Sequence, residues 1–446
     1  MIHNFSSLAK TDQHRVALDC LSAGISAATP ANLIPQSISF ENGTLTVSGD
    51  AYDLDAYNSI YLIGGGKAAG RITEAILEIL PPKYISDGIV ITERERDVPV
   101  VTVSAGGHPI PSETGINATE QLLTLGDRAD SDSLVLAIIT GGGSAHLAAP
   151  VDPVPLADLQ NLTASLLASG ASITEINAVR KHISAIKGGK LADRLAPATV
   201  VGIVLSDVVG DDLSTIASGP LVADETSFDD ALRILDQYDI SPPSTVMEYI
   251  AEGVEANRPE TPTKSTTDFD HITHYIVGNT MTAIQAAAQT AKTHNYTPLI
   301  LSSRVQGEAR EVSAALTSIA EETLLTGNPI SPPAVLLSGG ETTVTIDNGG
   351  KGGPNLEFCL QAAIQLTEKL DSSATIVCAC VDTDGNDGST DVAGGIVANS
   401  MLQSTDEGRN ALYSHNSYDF LDHHEALIDT GPTHTNVNDM HVFVIE

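Results

Sequence analysis

Lys67 directly follows three glycines, Gly64 to Gly66, at the end of an apolar run. The run from Ile60 to Ile63 has the length of a buried strand, and apolar residues return at helical spacing from Ile72 to Ile79. Consecutive glycines let a backbone turn sharply and bring N–H groups to a ligand, while a helix start favours negative charge. The lysine adds a mobile positive charge. The stretch predicts a strand, a glycine turn and a helix that suit a phosphate.

Two known phosphate-binding loops can be compared with this turn. A Walker A loop needs glycine where Tyr61 stands and Ser or Thr where Ala68 stands, so the turn is not a P-loop. The dinucleotide pattern G-x-G-x-x-A is met from Gly64 to Ala69, and Glu93 ends the next apolar run, where a ribose-binding carboxylate would lie. A tight turn without a ligand explains the same residues, and the loop alone does not decide between these interpretations.

A second glycine turn, Gly141-Gly142-Gly143-Ser144, ends the predicted strand from Leu134 to Ile139. Strands that alternate with helices predict a parallel sheet, whose ligands bind at the carboxyl ends of its strands. We therefore expect both glycine turns at the same edge of one sheet.

The predicted helix from about 172 to 195 concentrates basic residues in an otherwise acidic chain. It carries Arg180, Lys181, Lys187 and Lys190, together with Asn177. A run of charges is usually a solvated face, but a local positive field is what a phosphate or carboxylate site requires. We favour the ligand-binding interpretation of this cluster.

Carboxylates follow two further predicted strands. Asp207 follows the strand from Thr199 to Leu205, and Asp382 and Asp384 follow the strand from about 375 to 381. A carboxylate in this position can bind Mg²⁺ or accept a hydroxyl proton, and its alternative role is to cap the next turn. Together with the lysines and glycine turns, these residues predict a site for a polyphosphate and a divalent cation, and hence phosphoryl transfer.

The composition bounds the class of protein. With 22 basic and 57 acidic residues among 446, the formal charge is −35. A surface this acidic repels nucleic acid and anionic membranes, so we expect neither as a partner. Molar salt would screen this charge, so we expect a halophile's cytoplasmic protein.

The four cysteines show no metal-binding spacing and are expected to be reduced thiols without a metal. The length predicts two or three domains, and the proline-rich stretch 241–270 is the best linker.

Ten ordered motifs resemble the glycerate 2-kinases of the MOFRL type and span residues 64 to 439. They include the two glycine turns, Gly-Gly-His108-Pro, Asn177-Ala-Val-Arg180-Lys181-His182, Ser206-Asp207-Val, Ser338-Gly-Gly-Glu341-Thr-Thr, Asp382-Thr-Asp-Gly and Thr435-Asn-Val-Asn-Asp439. The resemblance implies an α/β protein of two Rossmann-like domains, 1–262 and 263–446, with largely parallel sheets and an interdomain cleft. It also implies ATP- and Mg²⁺-dependent phosphorylation of D-glycerate to 2-phosphoglycerate, and it is compatible with a homodimer.

The resemblance and the motifs assign expected roles to individual residues. The expected catalytic residues are Lys67, Asp207 and Lys351. The expected substrate-binding residues are Arg180, Lys181, Ser144, His108 and Asn177. The expected nucleotide-binding residues are Gly64, Gly65, Gly66, Gly141, Gly142, Gly143, Lys187, Gly278, Asn279, Gly339, Gly340, Glu341, Thr342 and Asn355. The expected metal ligands are Asp207, Asp382 and Asp384.

One departure from the family pattern concerns the loop from Lys351 to Asn355. The family has Arg-Gly-Gly-Arg-Asn there, whereas this chain has Lys351-Gly-Gly-Pro354-Asn355. If the functional arginine corresponds to Lys351, the charge is kept without the bidentate fork, and if it corresponds to Pro354, the group is lost. The main alternative function is an NAD(P)-dependent hydroxypyruvate reductase, and a nucleotide-binding module without turnover is a further one.

Overall fold

The computed structural model describes residues 2–346, 349–370, 375–399 and 401–446. Its α-helices in chain order are α1 (Phe5–Leu8), α2 (Asp12–Ala27), α3 (Pro30–Ser37), α4 (Ala69–Ile79), α5 (Glu113–Gly126), α6 (Gly143–His146), α7 (Leu156–Ala168), α8 (Ile173–His182), α9 (Lys190–Leu195), α10 (Phe228–Gln237), α11 (Ser244–Val254), α12 (Thr280–Thr293), α13 (Ala309–Thr326), α14 (Pro354–Lys369), α15 (Asp406–Tyr413) and α16 (Ser417–His423).

The strands in chain order are β1 (Ile38–Glu41), β2 (Thr44–Val47), β3 (Asp50–Asp53), β4 (Ser59–Gly65), β5 (Asp87–Thr92), β6 (Thr102–Ala105), β7 (Ser133–Thr140), β8 (Thr199–Leu205), β9 (Ile272–Gly278), β10 (Thr297–Glu308), β11 (Ala334–Thr343), β12 (Ile376–Asp382), β13 (Gly394–Ala398), β14 (Leu427–Ile428) and β15 (Asp439–Ile445). None of the helices in the described ranges is both long enough and apolar enough to cross a bilayer.

The chain divides into two compact units. The parallel-sheet unit comprises Leu33–Val277, and the mixed-sheet unit comprises Met1–Asn32 with Gly278–Glu446. The boundary therefore lies after the one expected at 262/263, and the first helices join the second unit instead of the first. The reason is packing, because Gly24 of α2 lies so close to Met440 of β15 and Ala283 of α12 that a Cβ there would approach them within 3 Å.

The parallel-sheet unit is built on a six-stranded sheet of order β6-β5-β4-β7-β8-β9. The pairs β4/β5, β4/β7, β5/β6 and β7/β8 are parallel, as expected from the alternation of strands and helices. Strand β7 is buried along its whole length, which explains its continuous apolar sequence. This arrangement brings the carboxyl ends of β4, β7 and β8 to one edge of the sheet.

A smaller antiparallel sheet, β1-β2-β3, belongs to the same unit. Its first turn is Asn42-Gly43, where both residues have positive φ, 49° and 84°. Two consecutive positive φ values are typical of the hairpin turn that the Asn-Gly pair predicts.

The mixed-sheet unit contains a six-stranded sheet of order β10-β11-β15-β12-β13-β14. The α/β fold is confirmed, but this sheet is not largely parallel. Among the described residues of this sheet, only β10 and β11 pair in parallel, whereas β15 is antiparallel to both β11 and β12, and β13 is antiparallel to β12 and β14. Strand β13 follows β12 after residues 383–393 without a helix, which is too short a connection for a parallel crossover.

Candidate active site

The glycine turn before Lys67 is held by the protein itself. The N–H of Gly66 donates to Ile91 O at 3.0 Å, and the N–H of Lys67 donates to Gly141 O at 2.8 Å. The next N–H group, that of Ala68, donates to Thr140 Oγ1 at 3.3 Å. Gly66 has φ of 131°, and a Cβ there would lie 2.2 Å from Thr140 Oγ1. The glycines are thus required by close packing on β7, and the backbone donors expected to bind phosphate are already used.

The second glycine turn differs in this respect. In the described part of the chain, the N–H groups of Gly142, Gly143 and Ser144 donate to no backbone or side-chain acceptor. Gly142 adopts φ of 75°, a conformation that favours glycine. The backbone donors available to an anion at this edge therefore belong to the turn after β7 and not to the turn after β4.

The side chains of Lys67 and His108 meet at Gly142. A Cβ at Gly142 would lie 3.0 Å from Lys67 Cγ and 3.1 Å from His108 Cδ2. Burial, followed by the positive charges of Lys67, His146 and Arg180, lowers the pKa of His108. His108 is consequently a neutral imidazole at pH 7, able to accept a proton or a hydrogen bond.

Asp207 lies against the neighbouring glycine. A Cβ at Gly141 would lie 1.8 Å from Asp207 Oδ2, so the carboxylate occupies the space that a side chain would need. Asp207 follows β8, and β8 pairs with β7 in parallel register from Leu134↔Thr199 to Thr140↔Leu205. The sheet thus brings Asp207 to the second glycine turn, as the sequence predicts.

Arg180 is a partly buried cation near this turn. It makes no ion pair or hydrogen bond with any residue in the described ranges, and burial lowers its pKa to about 10. Its electrostatic neighbours are positive, because its charge contributes to lowering the pKa values of His108 and Lys187. A partly buried guanidinium beside other cations favours binding of an anion.

The neighbouring lysines are engaged inside the protein. Lys181 Nζ forms a buried ion pair with Asp224 Oδ1 at 3.0 Å. Lys187 is fully buried, its Nζ donates to Leu147 O at 2.7 Å, and burial lowers its pKa to about 7. Lys190 Nζ donates to Lys181 O at 3.0 Å. The basic cluster that the sequence shows as one group therefore separates, and of the two expected carboxylate ligands Arg180 is the available one.

Ser144 and Asn177 are joined by hydrogen bonds. Ser144 Oγ lies 2.8 Å from Ser218 Oγ, and Ser218 Oγ donates to Asn177 Oδ1 at 2.8 Å. Asn177 Nδ2 donates to Thr215 O at 3.3 Å. Ser218 itself has φ of 62°, a strained conformation for a residue other than glycine. The chain of contacts fixes the short helix after Gly142 relative to α8, which carries Arg180.

His146 belongs to this site and was not singled out from the sequence. Its ring stacks on His108 with centroids 5.6 Å apart, and its Nδ1 lies 2.9 Å from Gly142 O. Its buried Nε2 has no hydrogen-bond partner in the described residues. The sequence cue for His146 was its position four residues after Gly142, one helical turn beyond the glycine turn.

The mixed-sheet unit holds a cluster of acids. Asp439 accepts hydrogen bonds from Thr342 N at 2.9 Å and Asn355 Nδ2 at 2.6 Å. Asp387 accepts from Asn355 N at 2.9 Å and Leu356 N at 2.8 Å, and so caps α14. Asn355 is therefore buried between two aspartates, and the amides at the start of α14, which a phosphate would use, are occupied.

Burial and neighbouring carboxylates raise the pKa values in this cluster. Burial, with the charge of Asp439 as a further cause, raises the pKa of Asp387 to about 7. Burial raises the pKa of Asp439 to about 6. Burial and the charges of Asp384 and Asp439 raise the pKa of Asp382 well above its usual value. Because all three pKa values are raised, a nearby cation would stabilise the ionised form of these carboxylates.

The remaining expected nucleotide ligands lie in regular structure. Strand β11 runs on to Thr343, so Gly339, Gly340, Glu341 and Thr342 pair with β10 and β15 instead of forming a turn. Gly278 ends β9, and the side chain of Asn279 caps α12 by accepting from Thr282 N at 3.2 Å. Their backbone and capping groups thus have structural uses.

Lys351 is exposed in the mixed-sheet unit. Its Nζ lies 3.3 Å from the ring centroid of Tyr418, and its carbonyl accepts a hydrogen bond from Tyr418 N at 3.0 Å. The positive charge therefore rests on an aromatic face. Pro354 begins α14, where proline is favoured because its missing N–H is not needed.

Comparison with known proteins identifies families and relatives that this chain resembles. Residues 16–251 match the family model described as a domain of unknown function (DUF4147), and residues 334–439 match the MOFRL family. Glycerate 2-kinase of Pyrococcus horikoshii is 37% identical, with 97% of this chain and 98% of the relative covered.

The chain belongs to the MOFRL-type glycerate 2-kinase family.

A solved structure from the same family supports the fold. The crystal structure of glycerate kinase from Thermotoga maritima is 34% identical, has a TM-score of 0.83, and is matched over 97% of this chain and 99% of its own. A protein of Agrobacterium vitis with the provisional name hydroxypyruvate reductase is 39% identical over 86% of this chain and 86% of its own length. Because relatives carry both names, an experiment must distinguish glycerate kinase activity from hydroxypyruvate reductase activity.

Proposed function

We propose that this protein transfers the γ-phosphoryl group of ATP to the 2-hydroxyl of D-glycerate, yielding 2-phosphoglycerate and ADP. The observation that carries the proposal is the meeting of Lys67, His108 and Asp207 at the turn Gly141–Ser144, near Arg180, which forms no ion pair with any described residue. Phosphoryl transfer depends mainly on positioning and on neutralising charge, which these groups supply.

Each group has a proposed role that follows from its chemistry. Arg180 binds the carboxylate of glycerate, because its guanidinium offers a planar pair of donors. Lys67 contacts the transferred phosphoryl group, and the N–H groups of Gly142 to Ser144 donate to phosphate oxygens. Asp207 accepts the proton of the substrate hydroxyl or binds Mg²⁺, and neutral His108 orients that hydroxyl.

The residues present also suit Mg²⁺. This ion prefers oxygen ligands and is usually held by one or two carboxylates together with substrate phosphates. Asp382 and Asp384 provide such oxygens in the mixed-sheet unit, where burial and then neighbouring negative charge raise the pKa of Asp382. Asp207 provides one in the parallel-sheet unit. When bound, the ion would neutralise phosphate charge.

The hydroxypyruvate reductase interpretation is weaker for a structural reason. A dinucleotide loop presents free backbone N–H groups to the pyrophosphate. Here the N–H groups of residues 66 to 69 donate to protein acceptors, the last of them to Gly66 O at 3.2 Å. The G-x-G-x-x-A match therefore reflects packing of β4 on β7.

Parallel assays in several molar KCl test the proposal. One contains D-glycerate, ATP and Mg²⁺, and the other contains hydroxypyruvate and NADH or NADPH, with phosphorus NMR of the first product. We expect ADP release and the 2-phosphate signal in the first assay only. Reduction of hydroxypyruvate without ATP turnover would overturn the proposal, and a 3-phosphate product would overturn the assigned position. A cytoplasmic, halophilic setting and a homodimer are part of the proposal, and activity that requires high salt would support the former.

A further inference from the structure

Three cysteines meet in the core of the mixed-sheet unit. Cys378 and Cys380 alternate along β12, so they lie on the same face of the sheet, and Cys359 comes from α14. The Sγ atoms of all three lie within 4.8 Å of one another, and those of Cys378 and Cys380 are 3.7 Å apart. The sequence spacing predicted no metal site, because Cys359 lies on a different element.

The surroundings of these sulfur atoms are apolar and closed. All three residues are 0% exposed and share a core cluster with Leu336 and Phe443. The Cys359 thiol donates to Gly395 O at 3.2 Å. No fourth His, Cys, Asp or Glu within the described ranges joins the group.

The sulfur separations fit a three-coordinate ion. Three sulfurs at about 2.3 Å from one ion lie about 4 Å apart, within the range that the structure shows. Zinc sites are usually tetrahedral and need a fourth ligand, whereas thiolate ligands also select Cu(I). A closed apolar site without a fourth ligand therefore favours Cu(I).

We propose that Cys359, Cys378 and Cys380 form a buried site for a soft monovalent cation of the Cu(I) type. On binding, all three thiols lose their protons to solvent and the three S–H bonds are replaced by three S–Cu bonds, because metals bind the thiolate and not the thiol. No electron is transferred. Three protons leave for one monovalent cation, so the net charge of the site changes by −2, and the ion links α14 to β12.

Titration of the full-length protein with Cu(I) tests this site. The experiment is anaerobic, uses potassium acetate because chloride binds Cu(I), and includes a competing Cu(I) chelator. Copper retained after gel filtration and the melting temperature are measured for wild type, Cys378→Ser, Cys380→Ala and Cys20→Ser. Cys20 is a buried cysteine outside the cluster and serves as the matched control.

We expect a single copper ion per chain and a raised melting temperature in wild type and Cys20→Ser. The two cluster variants should bind at least roughly tenfold more weakly. If one variant fails to fold, the other decides. The proposal is overturned if wild type retains no copper after prolonged incubation, if both variants bind as wild type does, or if Cys20→Ser alone loses binding.

Discussion

Both units have charged residues near the ends of strands, but the two sets of charges differ in whether neighbouring residues pair with them. In the parallel-sheet unit, Lys67, His108 and Arg180 lie together, and Arg180 has no acidic partner in the described residues. In the mixed-sheet unit, Asp387 and Asp439 are buried and accept hydrogen bonds from the side chain or backbone of neighbouring residues. On our proposal the cationic site binds a ligand, while these two aspartates mainly organise their own surroundings.

The largest effect is expected for Lys67→Ala. Loss of a preorganised charge that contacts the transferred group should lower kcat by about 100-fold or more. ADP release with D-glycerate and ATP measures it. Lys83→Ala is the control, because Lys83 is an exposed lysine whose Nζ lies 5.0 Å from the ring centroid of Tyr84. Equal losses in the two variants, or near-normal kcat for Lys67→Ala, would remove Lys67 from the mechanism.

A smaller loss is expected for Gly141→Ala. The new Cβ would lie 1.8 Å from Asp207 Oδ2, so the carboxylate must move. A displacement of about 1 Å in an active site costs up to roughly 100-fold, and we expect about 10-fold or more in kcat with a folded protein. Gly126→Ala is the control, because its Cβ would meet only Leu195 Cδ2 at 3.3 Å. Unchanged kcat would show that the position of Asp207 is not critical.

The acidic cluster should affect stability through pH. The pKa of Asp387 is about 7 in the folded protein and 3.8 for the free side chain, so folding binds a proton between these values. Its contribution to the unfolding free energy therefore falls as pH rises through this window, by about 1.4 kcal/mol per pKa unit at most.

The comparison of wild type with Asp387→Asn isolates this contribution. The difference between their unfolding free energies, wild type minus variant, should decrease from about pH 4 to about pH 7. Asp127→Asn is the control, because a hydrogen bond from Arg194 lowers the pKa of Asp127 and its contribution changes only at lower pH. A difference for Asp387→Asn that is constant or rises with pH would contradict the account.

The sequence predicted local features of the fold well. The strand, glycine turn and helix around Lys67 form at β4 and α4, because their apolar spacing depends on neighbours along the chain. Gly339 to Thr342 were expected to bind the nucleotide but lie in β11, where β15, about a hundred residues later in the chain, pairs beside Gly339 and Gly340. Pairing between strands so far apart in the chain cannot be predicted from the sequence of either strand alone.

The sequence predicted which residues lie in the candidate site better than it predicted the contacts that they make there. The motifs identified Lys67, His108, Asp207 and Arg180, which the parallel sheet and α8 bring to neighbouring positions. They did not show that Lys181 is neutralised by Asp224, a residue 43 positions away. Nor did they show that the amides beside Lys67 are used by β5 and β7. Both facts depend on tertiary contacts.

Binding of D-glycerate to Arg180 variants tests the central claim most directly. Isothermal titration of wild type, Arg180→Ala and Arg194→Ala compares the guanidinium of Arg180, which has no acidic partner among the described residues, with that of Arg194, which pairs with Asp127 at 2.6 Å. We predict that Arg180→Ala raises the dissociation constant for D-glycerate by about 10- to 100-fold, as expected for loss of hydrogen bonds to a charged group. Arg194→Ala should leave this constant unchanged. Equal affinity of wild type and Arg180→Ala would contradict the claim that this cationic site binds the substrate.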